Sequence, residues 1–245
     1  MGDSASKRPA GDPKSLRIAL ITETYPPEIN GVANTLLHMV QGLAERGHQI
    51  ALLRPAQGRS DRAPRVVGRI REIPTSGLPL PFYQGLQVGL PATRVIGRTF
   101  REFRPDIVYI ATEGPLGASA QRVARRLQLP VIAGFHTNFQ TYSRHYGIGL
   151  LAPAVLRYLR RFHNRCNQTL VPTPELASTL KRHDFKRLTV WSRGVDVALF
   201  DPARRNEKLR SSWGLDPTKG LAVLYVGRIA KEKNIDLAIR AFRQI

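Results

Sequence analysis

The sequence predicts an α/β fold built on a doubly wound, mostly parallel sheet, and three observations support this. Short apolar runs alternate with amphipathic stretches of ten or more residues between residues 16 and 191. Turn residues separate them, such as Pro26 and Pro27 after the first run and Gly47 after the first helical stretch. Parallel strands need crossover helices between them. The alternation is therefore typical of a Rossmann-like sheet that is covered on both faces.

The elements follow in order from residue 17. An apolar run at 17–22 predicts the first strand, helical spacing of Val32, Leu36, Val40 and Leu43 predicts the first helix, and 48–54 is the second strand. Further strands are predicted at 66–70, 106–111, 130–135, 168–171 and 188–191. Further helices are predicted at 93–103, 116–127, 151–165 and 174–183.

Beyond Trp191 the pattern predicts the opening of a second Rossmann-like domain. A charged helix is expected at 204–213, a strand at 221–226 and a helix at 235–242. One strand and one helix cannot bury their own apolar faces, so this domain is expected to be an incomplete fragment. The predicted organisation is a disordered tail at 1–15, a domain at 16–196, a linker and helix at 197–220, and the fragment at 221–245.

The composition is that of a globular but strongly basic chain. Its 245 residues are 42% hydrophobic, and 38 Lys and Arg against 18 Asp and Glu give a net charge of +20. Such a surface attracts polyanions, whether nucleic acid, anionic lipid or phosphorylated substrates. No apolar run reaches 18 residues and the first 15 residues are polar, so we expect a cytoplasmic protein with neither membrane span nor signal peptide.

Two candidate site residues follow predicted strands. Gly31 opens the first helix, where backbone N–H groups can approach a phosphate, although a glycine in such a turn also occurs for turn geometry alone. His136 comes just past the carboxyl end of a strand, where ligands of open α/β sheets bind. The alternative is a histidine that only hydrogen-bonds the backbone of its loop.

Two cations follow the strand predicted at 221–226. Arg228 and Lys233 share one loop before a helix, where they can stabilise the negative charge of a departing nucleoside diphosphate. A solvated basic loop in a basic protein is the alternative interpretation.

Five motifs in order carry a resemblance to a known family: RIALITETYPPEINGVANT, FHTNFQTYSRHYG, VPTPEL, SRGVDVALFDP and LYVGRIAKEKN. Together they resemble the retaining GT-B glycosyltransferases of family 4. The similarity is strongest to bacterial GDP-mannose-dependent α-mannosyltransferases and to sulfoquinovosyl- or glucosyl-diacylglycerol synthases. It covers nearly all of residues 16–245 and implies that residues 16–196 form the N-terminal, acceptor-side domain of the GT-B fold.

The resemblance also implies a function. The expected reaction moves a hexose, mannose first, from GDP-mannose or a UDP-hexose to a hydroxyl of a lipid or glycan, without a cofactor. Gly31 matches the glycine that faces the donor phosphates, His136 matches a histidine near the transferred sugar, and Arg228 with Lys233 matches the basic pair on the diphosphate. The sequence has no Asp-x-Asp, so no metal site is expected.

One departure from the family pattern limits this expectation. Family members carry two glutamates eight positions apart late in the donor domain, whereas only Glu232 follows Gly220 here. The chain alone is thus expected to lack a complete donor pocket and transferase activity. A catalytically silent truncated product and a basic module that binds nucleic acid or other polyanions remain as alternatives.

A basic helix and an apolar loop suggest a membrane-facing edge. Arg94, Arg98 and Arg101 recur on one face of the helix at 93–103. The segment before it, 74–92, lacks charged side chains and contains Phe82 and Tyr83. The loop could enter the interface while the arginines meet anionic headgroups. An ordinary surface helix beside an ordered loop explains the same pattern.

Overall fold

A computed structural model describes the chain at residues 15–58, 61, 63–79, 87–136, 152–216, 221–227, 229 and 234–244. These residues form two compact units. The first contains the described residues up to 136 together with those from 152 to 193, and the second contains those from 194 onward.

An eight-stranded sheet forms the centre of the first unit. Its strand order is β10-β9-β8-β7-β1-β2-β4-β3, and every neighbouring pair is parallel except β3 with β4. A short antiparallel pair, β5 with β6, forms a second sheet. The strands are β1 Arg17–Ile21, β2 Gln49–Pro55, β3 Arg65–Val67, β4 Ile70–Thr75, β5 Gly77–Pro79, β6 Gln87–Gly89, β7 Ile107–Ile110, β8 Val131–Gly134, β9 Gln168–Val171 and β10 Leu188–Val190.

Helices cover both faces of this sheet. They are α1 Gly31–Glu45, α2 Thr93–Phe103, α3 Pro115–Arg126, α4 Ala152–His163 and α5 Pro174–Arg182. Successive residues of a strand point to opposite faces, so Leu20 joins one apolar cluster with Leu36 of α1, and Ile21 joins another with Phe100 of α2 and Phe162 of α4. The predicted doubly wound, mostly parallel sheet is confirmed.

One strand of the first unit differs from its prediction. The strand expected at 66–70 is a hairpin, in which β3 turns back at Gly68 and pairs antiparallel with β4. Gly68 has φ 56°, a left-handed conformation that glycine adopts without a steric penalty. The apolar residues Val66 and Val67 lie on the exposed edge strand, being 69% and 59% exposed, so hydrophobicity there does not mark a buried strand.

The second unit contains short helices. They are a 3-10 turn at Pro202–Arg204, α6 at Glu207–Ser212 and α7 at Ile235–Phe242. The helix predicted at 204–213 is present but shorter, because Asn206 caps α6 by accepting a hydrogen bond from the Leu209 N–H. The strand predicted at 221–226 is wrong, since these residues are irregular. A strand needs a hydrogen-bonded neighbour, and none pairs with 221–226 within the described ranges.

Candidate functional site

The candidate site lies at the carboxyl edge of the large sheet, where the strand order reverses. Strands β1 and β7 are neighbours, and the chain leaves β1 for α1 on one face and β7 for α3 on the other. Such a switch point opens a crevice in which α/β proteins bind ligands. Glu23 follows β1, Glu113 follows β7 and His136 follows β8, so three ionisable side chains meet this edge.

His136 is held against the sheet by a tyrosine of the neighbouring strand β7. The Tyr109 hydroxyl on β7 lies 3.1 Å from Nε2 of His136. Gly134 makes this contact possible, because a Cβ there would lie 2.3 Å from the Tyr109 hydroxyl and 2.5 Å from His136 Nε2. The sequence predicted that His136 lies past a carboxyl end, and the neighbouring Gly134 clears the space for its ring.

The surroundings of His136 favour its neutral form. Burial, and then the positive charge of Arg193, lower the pKa of His136 to about 4. Its Nδ1 atom is buried and has no hydrogen-bond partner in the described part of the chain. A buried polar atom without a partner costs free energy. A ligand hydroxyl that bonded Nδ1 would remove that cost, which is the behaviour expected of a binding residue.

A second histidine organises the region behind the site. His163 is fully buried, with Nε2 3.0 Å from a Glu113 carboxylate oxygen and Nδ1 3.1 Å from the Thr169 hydroxyl. Its ring contacts Phe135, with centroids 5.1 Å apart. The Tyr158 hydroxyl donates to the Glu113 carbonyl oxygen. These contacts fix the position of Glu113 from one helix, α4, whose His163 is in turn held by Thr169 of β9.

The side chain of Glu23, which follows β1, contacts the N-terminal end of α3. Its carboxylate accepts a hydrogen bond from the Leu116 N–H at 3.0 Å, as expected for an anion at a helix N-terminus. Gly114 leaves the necessary space, since a Cβ there would lie 2.1 Å from both carboxylate oxygens. Burial, together with the negative charge of Glu113, raises the pKa of Glu23 to about 7 despite this hydrogen bond. Glu23 is thus a carboxyl group that titrates near neutral pH.

Gly31 occupies the first position of α1. Asn30 caps this helix, because its Oδ1 accepts from the Val32 N–H at 3.0 Å and the Ala33 N–H at 2.8 Å. Those two donors are therefore already used within the protein. A Cβ on Gly31 would lie 3.4 Å from Nη1 of Arg193, so a guanidinium approaches the helix start closely.

Arg193 connects the two predicted site residues of the first unit. Its charge acts on His136 and on Tyr109, while its side chain adjoins Gly31. Among the described residues it has no hydrogen-bond or ion-pair partner. The geometry therefore places an uncompensated cation beside a helix N-terminus and a neutral histidine, an arrangement suited to a phosphate next to a sugar.

The remaining predicted site residues divide into two groups. Arg228, Lys233, Phe82 and Tyr83 lie outside the described residues. The three arginines of α2 are described and lie on its exposed side: Arg94, Arg98 and Arg101.

The arginine stripe of α2 is partly neutralised. Glu102 lies 2.8 Å from Nε of Arg98 and 3.6 Å from Arg71. The apolar side of the helix is buried in the core through Ile96 and Phe100. None of the described helices is long and apolar enough to cross a bilayer.

No three His, Cys, Asp or Glu side chains come together as metal ligands in the ranges that the structure describes. The histidines and carboxylates at the sheet edge are instead engaged in pairs, such as His163 with Glu113.

The fold and the carboxyl-edge site define the class of protein. A doubly wound sheet flanked by helices, with a histidine and a helix N-terminus at its switch point, is the fold seen in GT-B glycosyltransferases. The sucrose-phosphate synthase of Thermosynechococcus elongatus shares this fold, with a TM-score of 0.68 at 16% identity over 94% of this chain and 60% of that one.

The chain belongs to glycosyltransferase family 4, whose model matches residues 29–199. It is 33% identical over 232 residues to the GDP-mannose-dependent alpha-mannosyltransferase of Mycolicibacterium smegmatis, covering 93% of this chain and 60% of that protein. It is 27% identical to the sulfoquinovosyl transferase of Arabidopsis thaliana, covering 96% and 47%. The chain thus spans about half to three fifths of the length of these relatives. The family resemblance found in the sequence is confirmed.

Sequence reasoning missed Glu23, Glu113 and Arg193 as parts of the site. Both glutamates directly follow the strands that flank the switch point, so the rule that located His136 would also have found them once the strand order was known. Arg193 follows the last strand of the sheet and lies in the motif SRGVDVALFDP, from which no site role is predicted. Its approach to Gly31 depends on tertiary structure and leaves no local signal.

Proposed function

We propose that this chain supplies the acceptor-side domain of a retaining transferase that moves mannose from GDP-mannose to a hydroxyl group of a lipid or glycan. Family membership supports transfer of a sugar, and the mannosyltransferase relatives at 32–33% identity favour this donor over UDP-hexoses. Two relatives named alpha-monoglucosyldiacylglycerol synthase support a lipid acceptor. The single observation that carries the proposal is the neutral His136 with its unpartnered Nδ1 beside Arg193.

His136 has the properties needed to hold a sugar hydroxyl. A neutral imidazole both donates and accepts hydrogen bonds, whereas an imidazolium only donates. With Nε2 engaged by Tyr109, Nδ1 is the atom left for the substrate. Because the contact is fixed by Gly134 and the sheet, the ring needs no reorganisation when the sugar develops positive charge.

Arg193 and the start of α1 provide for the donor phosphates. The guanidinium forms bidentate hydrogen bonds with phosphate oxygens, and the helix N-terminus adds a favourable partial charge. Gly31 allows a phosphate to approach because no side chain fills the space in front of Arg193. In this proposal Arg228 and Lys233 add charge on the leaving diphosphate, as the family resemblance implies.

A donor screen tests the function. The protein, expressed with its entire reading frame, is supplied with GDP-mannose, UDP-glucose or UDP-galactose, and release of GDP or UDP is measured in the presence of lipid hydroxyl acceptors. We expect GDP release to exceed UDP release by about tenfold or more, a difference of about 1.4 kcal/mol in transition-state binding. Faster UDP release would overturn the donor assignment while leaving the transferase class intact.

The site assignment is tested in the same assay. His136→Ala should lower kcat/KM by about 100-fold, within the range that removal of one positioned polar group produces. The matched control is His183→Ala, which removes an exposed histidine at the end of α5 and should retain the activity of the unmodified protein. Equal losses in both variants would show that His136 acts through folding alone.

We also propose that transfer needs no divalent metal, because the sequence has no Asp-x-Asp and the basic residues take over stabilisation of the leaving diphosphate. The test is the rate of GDP release after treatment with EDTA. Retention of the rate is expected, and restoration of a lost rate by Mg²⁺ or Mn²⁺ would refute this part of the proposal.

The basic face of α2 supports a further proposal, that the protein binds anionic membranes peripherally where lipid acceptors reside. Arg94 and Arg101 have exposed side chains and no ion-pair partner among the described residues. Co-sedimentation with vesicles should require phosphatidylglycerol and decrease when Arg94→Gln and Arg101→Gln are combined. Binding that ignores lipid charge would contradict it.

A further inference from the structure

A groove runs between α3 and α4 on the outer side of the first unit. Its volume is about 470 Å³, which lies within the range of about 300–1,000 Å³ typical of small-molecule sites. Basic side chains dominate its lining. The lining consists of Ala118, Gln121, Arg122, Arg125, Arg126, Tyr158, Arg161, Phe162 and Arg165, and we call it the arginine groove.

Within the part of the chain that the structure describes, the five arginines of this groove have no acidic partners. No Asp or Glu belongs to the lining, and none of these guanidinium groups forms an ion pair with another described residue. Some arginines elsewhere on the chain do have such partners. Arg160, next in sequence to Arg161, lies 3.2 Å from Asp184, and Arg98 lies 2.8 Å from Glu102. The arginine groove is thus a concentrated positive charge that none of the other described residues neutralises.

Like charges in the groove also lie close enough to act on one another. Loss of solvation, followed by the positive charges of Arg161 and Arg125, lowers the pKa of Arg165. These three residues come from two helices and the turn after one of them, so the repulsion is created by the tertiary fold. An anionic ligand would turn this repulsion into attraction.

The helix dipole explains only some of these arginines. Arg125, Arg126 and Arg161 lie in the last turns of α3 and α4, where cations stabilise the helix C-terminus. Arg122 precedes the last turn of α3, and Arg165 follows the end of α4. A structural role at helix ends therefore leaves two of the five unexplained.

The floor of the groove is rigid. Gln121 and Phe162 are buried, and the Gln121 side-chain amide donates to the Phe162 carbonyl oxygen at 2.8 Å. Tyr158 is tied to Glu113 through its hydroxyl group. A ligand would therefore meet a preformed concave surface, in contrast to the flat contact that a membrane makes.

We propose that the arginine groove binds a compact phosphorylated ligand with two or more adjacent phosphate groups. Guanidinium groups form bidentate hydrogen bonds with phosphate oxygens, and arginines on opposite walls can contact successive phosphates of one ligand. The groove lies along the helices, whereas His136 lies at the carboxyl edge of the sheet. The ligand is thus bound at a site other than the one assigned to sugar transfer.

Calorimetric titration of the full-length protein with inorganic tripolyphosphate tests this inference. In about 0.15 M NaCl, where screening acts beyond about 8 Å, binding should be measurable and tighter than that of inorganic phosphate. Arg125→Gln combined with Arg161→Gln should weaken it by about tenfold or more. The matched control combines Arg94→Gln with Arg101→Gln on α2, removes the same charge, and should change binding by less than about twofold.

Several results would overturn the inference. Equal weakening in the two double variants would assign binding to the general charge of the protein. Affinity for phosphatidylglycerol vesicles without affinity for tripolyphosphate would assign the groove to a membrane surface. The substituted arginines are exposed, so both variants should fold, which their thermal unfolding checks. His136→Ala should leave tripolyphosphate affinity in the groove unchanged, so failure of this inference is distinguishable from failure of the transferase proposal.

Discussion

The Tyr109 hydroxyl lies 3.1 Å from Nε2 of His136, and this contact joins the side chain of one strand to the loop that follows the next. Tyr109 is only 6% exposed, and burial raises the pKa of its phenol, so the hydroxyl keeps its proton at neutral pH. The hydrogen bond determines which nitrogen of His136 remains for a ligand. Because the strands are paired through Tyr109 and Ile132, the position of the ring is a property of the sheet.

Tyr109→Phe should therefore impair both stability and activity. Loss of the hydroxyl leaves Nε2 of His136 buried without its partner, at a cost of about 1–3 kcal/mol. The same change frees the ring to rotate, so we expect kcat to fall about tenfold. Urea denaturation and initial rates of nucleotide release measure the two effects. Tyr158→Phe is the control for stability, since Tyr158 is 45% exposed, and it should cost less than about 1 kcal/mol.

The neutral state of His136 predicts how stability varies in acid. Its pKa in the folded protein, about 4, lies below the ordinary value of 6.5. Between pH 4 and pH 6.5 the imidazole is therefore protonated in the unfolded chain and neutral in the folded one. The contribution of His136 to stability is thus complete above pH 6.5 and is lost as the pH falls towards 4. The loss should reach at most about 3 kcal/mol.

This prediction is measured by comparing the free energy of unfolding of the unmodified protein and of His136→Gln between pH 7 and pH 4.5. The difference between the two should shrink as the pH falls, because glutamine does not titrate. Proton resonances of the ring provide an independent check. A midpoint for His136 near 6.5 would show that the ring is solvated and would contradict its assigned role.

Much of the first unit could be predicted because periodicity reports burial. Strands β1, β2, β7 and β8 are largely buried on both faces, and their continuous apolar runs distinguish them from helices. Edge elements carry a weaker signal. At β3 the apolar Val66 and Val67 face solvent, and the turn at Gly68 makes β3 and β4 a hairpin in place of the single predicted strand.

The site was only partly predictable for a related reason. His136 and Gly31 follow strands, so a rule about strand ends could find them. The contacts that give them their properties come from distant residues, namely Tyr109 for the first and Arg193 for both. Local sequence records neither contact, because both depend on strand order and on where the chain returns after β10.

A buried ion cluster beside β2 gives a prediction about stability. Arg54 is 2% exposed and lies 2.5 Å from Asp61 and 2.9 Å from Glu72. Arg54→Met would leave two carboxylates without their main cation, one of them buried, and should cost about 3–5 kcal/mol. Arg65→Met is the control, because Arg65 is exposed and Glu72 retains Arg54, and it should cost less than about 1 kcal/mol. Thermal unfolding measures both losses. Similar losses in the two variants would refute the prediction that the buried Arg54 contributes more to stability than the exposed Arg65.

Glu23 predicts a pH dependence opposite in sign to that of His136. Its folded pKa of about 7 exceeds the ordinary value of 4.5, so the folded chain holds a proton that the unfolded chain releases. The contribution of Glu23 to stability is therefore complete below pH 4.5 and is lost as the pH rises through 7. Glutamine at this position cannot ionise. Raising the pH from 4.5 to 8 should therefore shift the difference in unfolding free energy between Glu23→Gln and the unmodified protein by about 2 kcal/mol in favour of the variant.

Gly114→Ala tests whether the position of Glu23 causes this shift. The new Cβ would lie 2.1 Å from the carboxylate oxygens, so Glu23 must leave the Leu116 N–H and move towards solvent. We expect a loss of about 1–2 kcal/mol at pH 5 and a smaller dependence of stability on pH between 5 and 8. Gly42→Ala is the control, because a Cβ there meets only the end of the Arg46 side chain at 3.8 Å and alanine favours the helix. If Gly114→Ala left the pH dependence intact, burial against α3 could not be the cause of the raised pKa of Glu23.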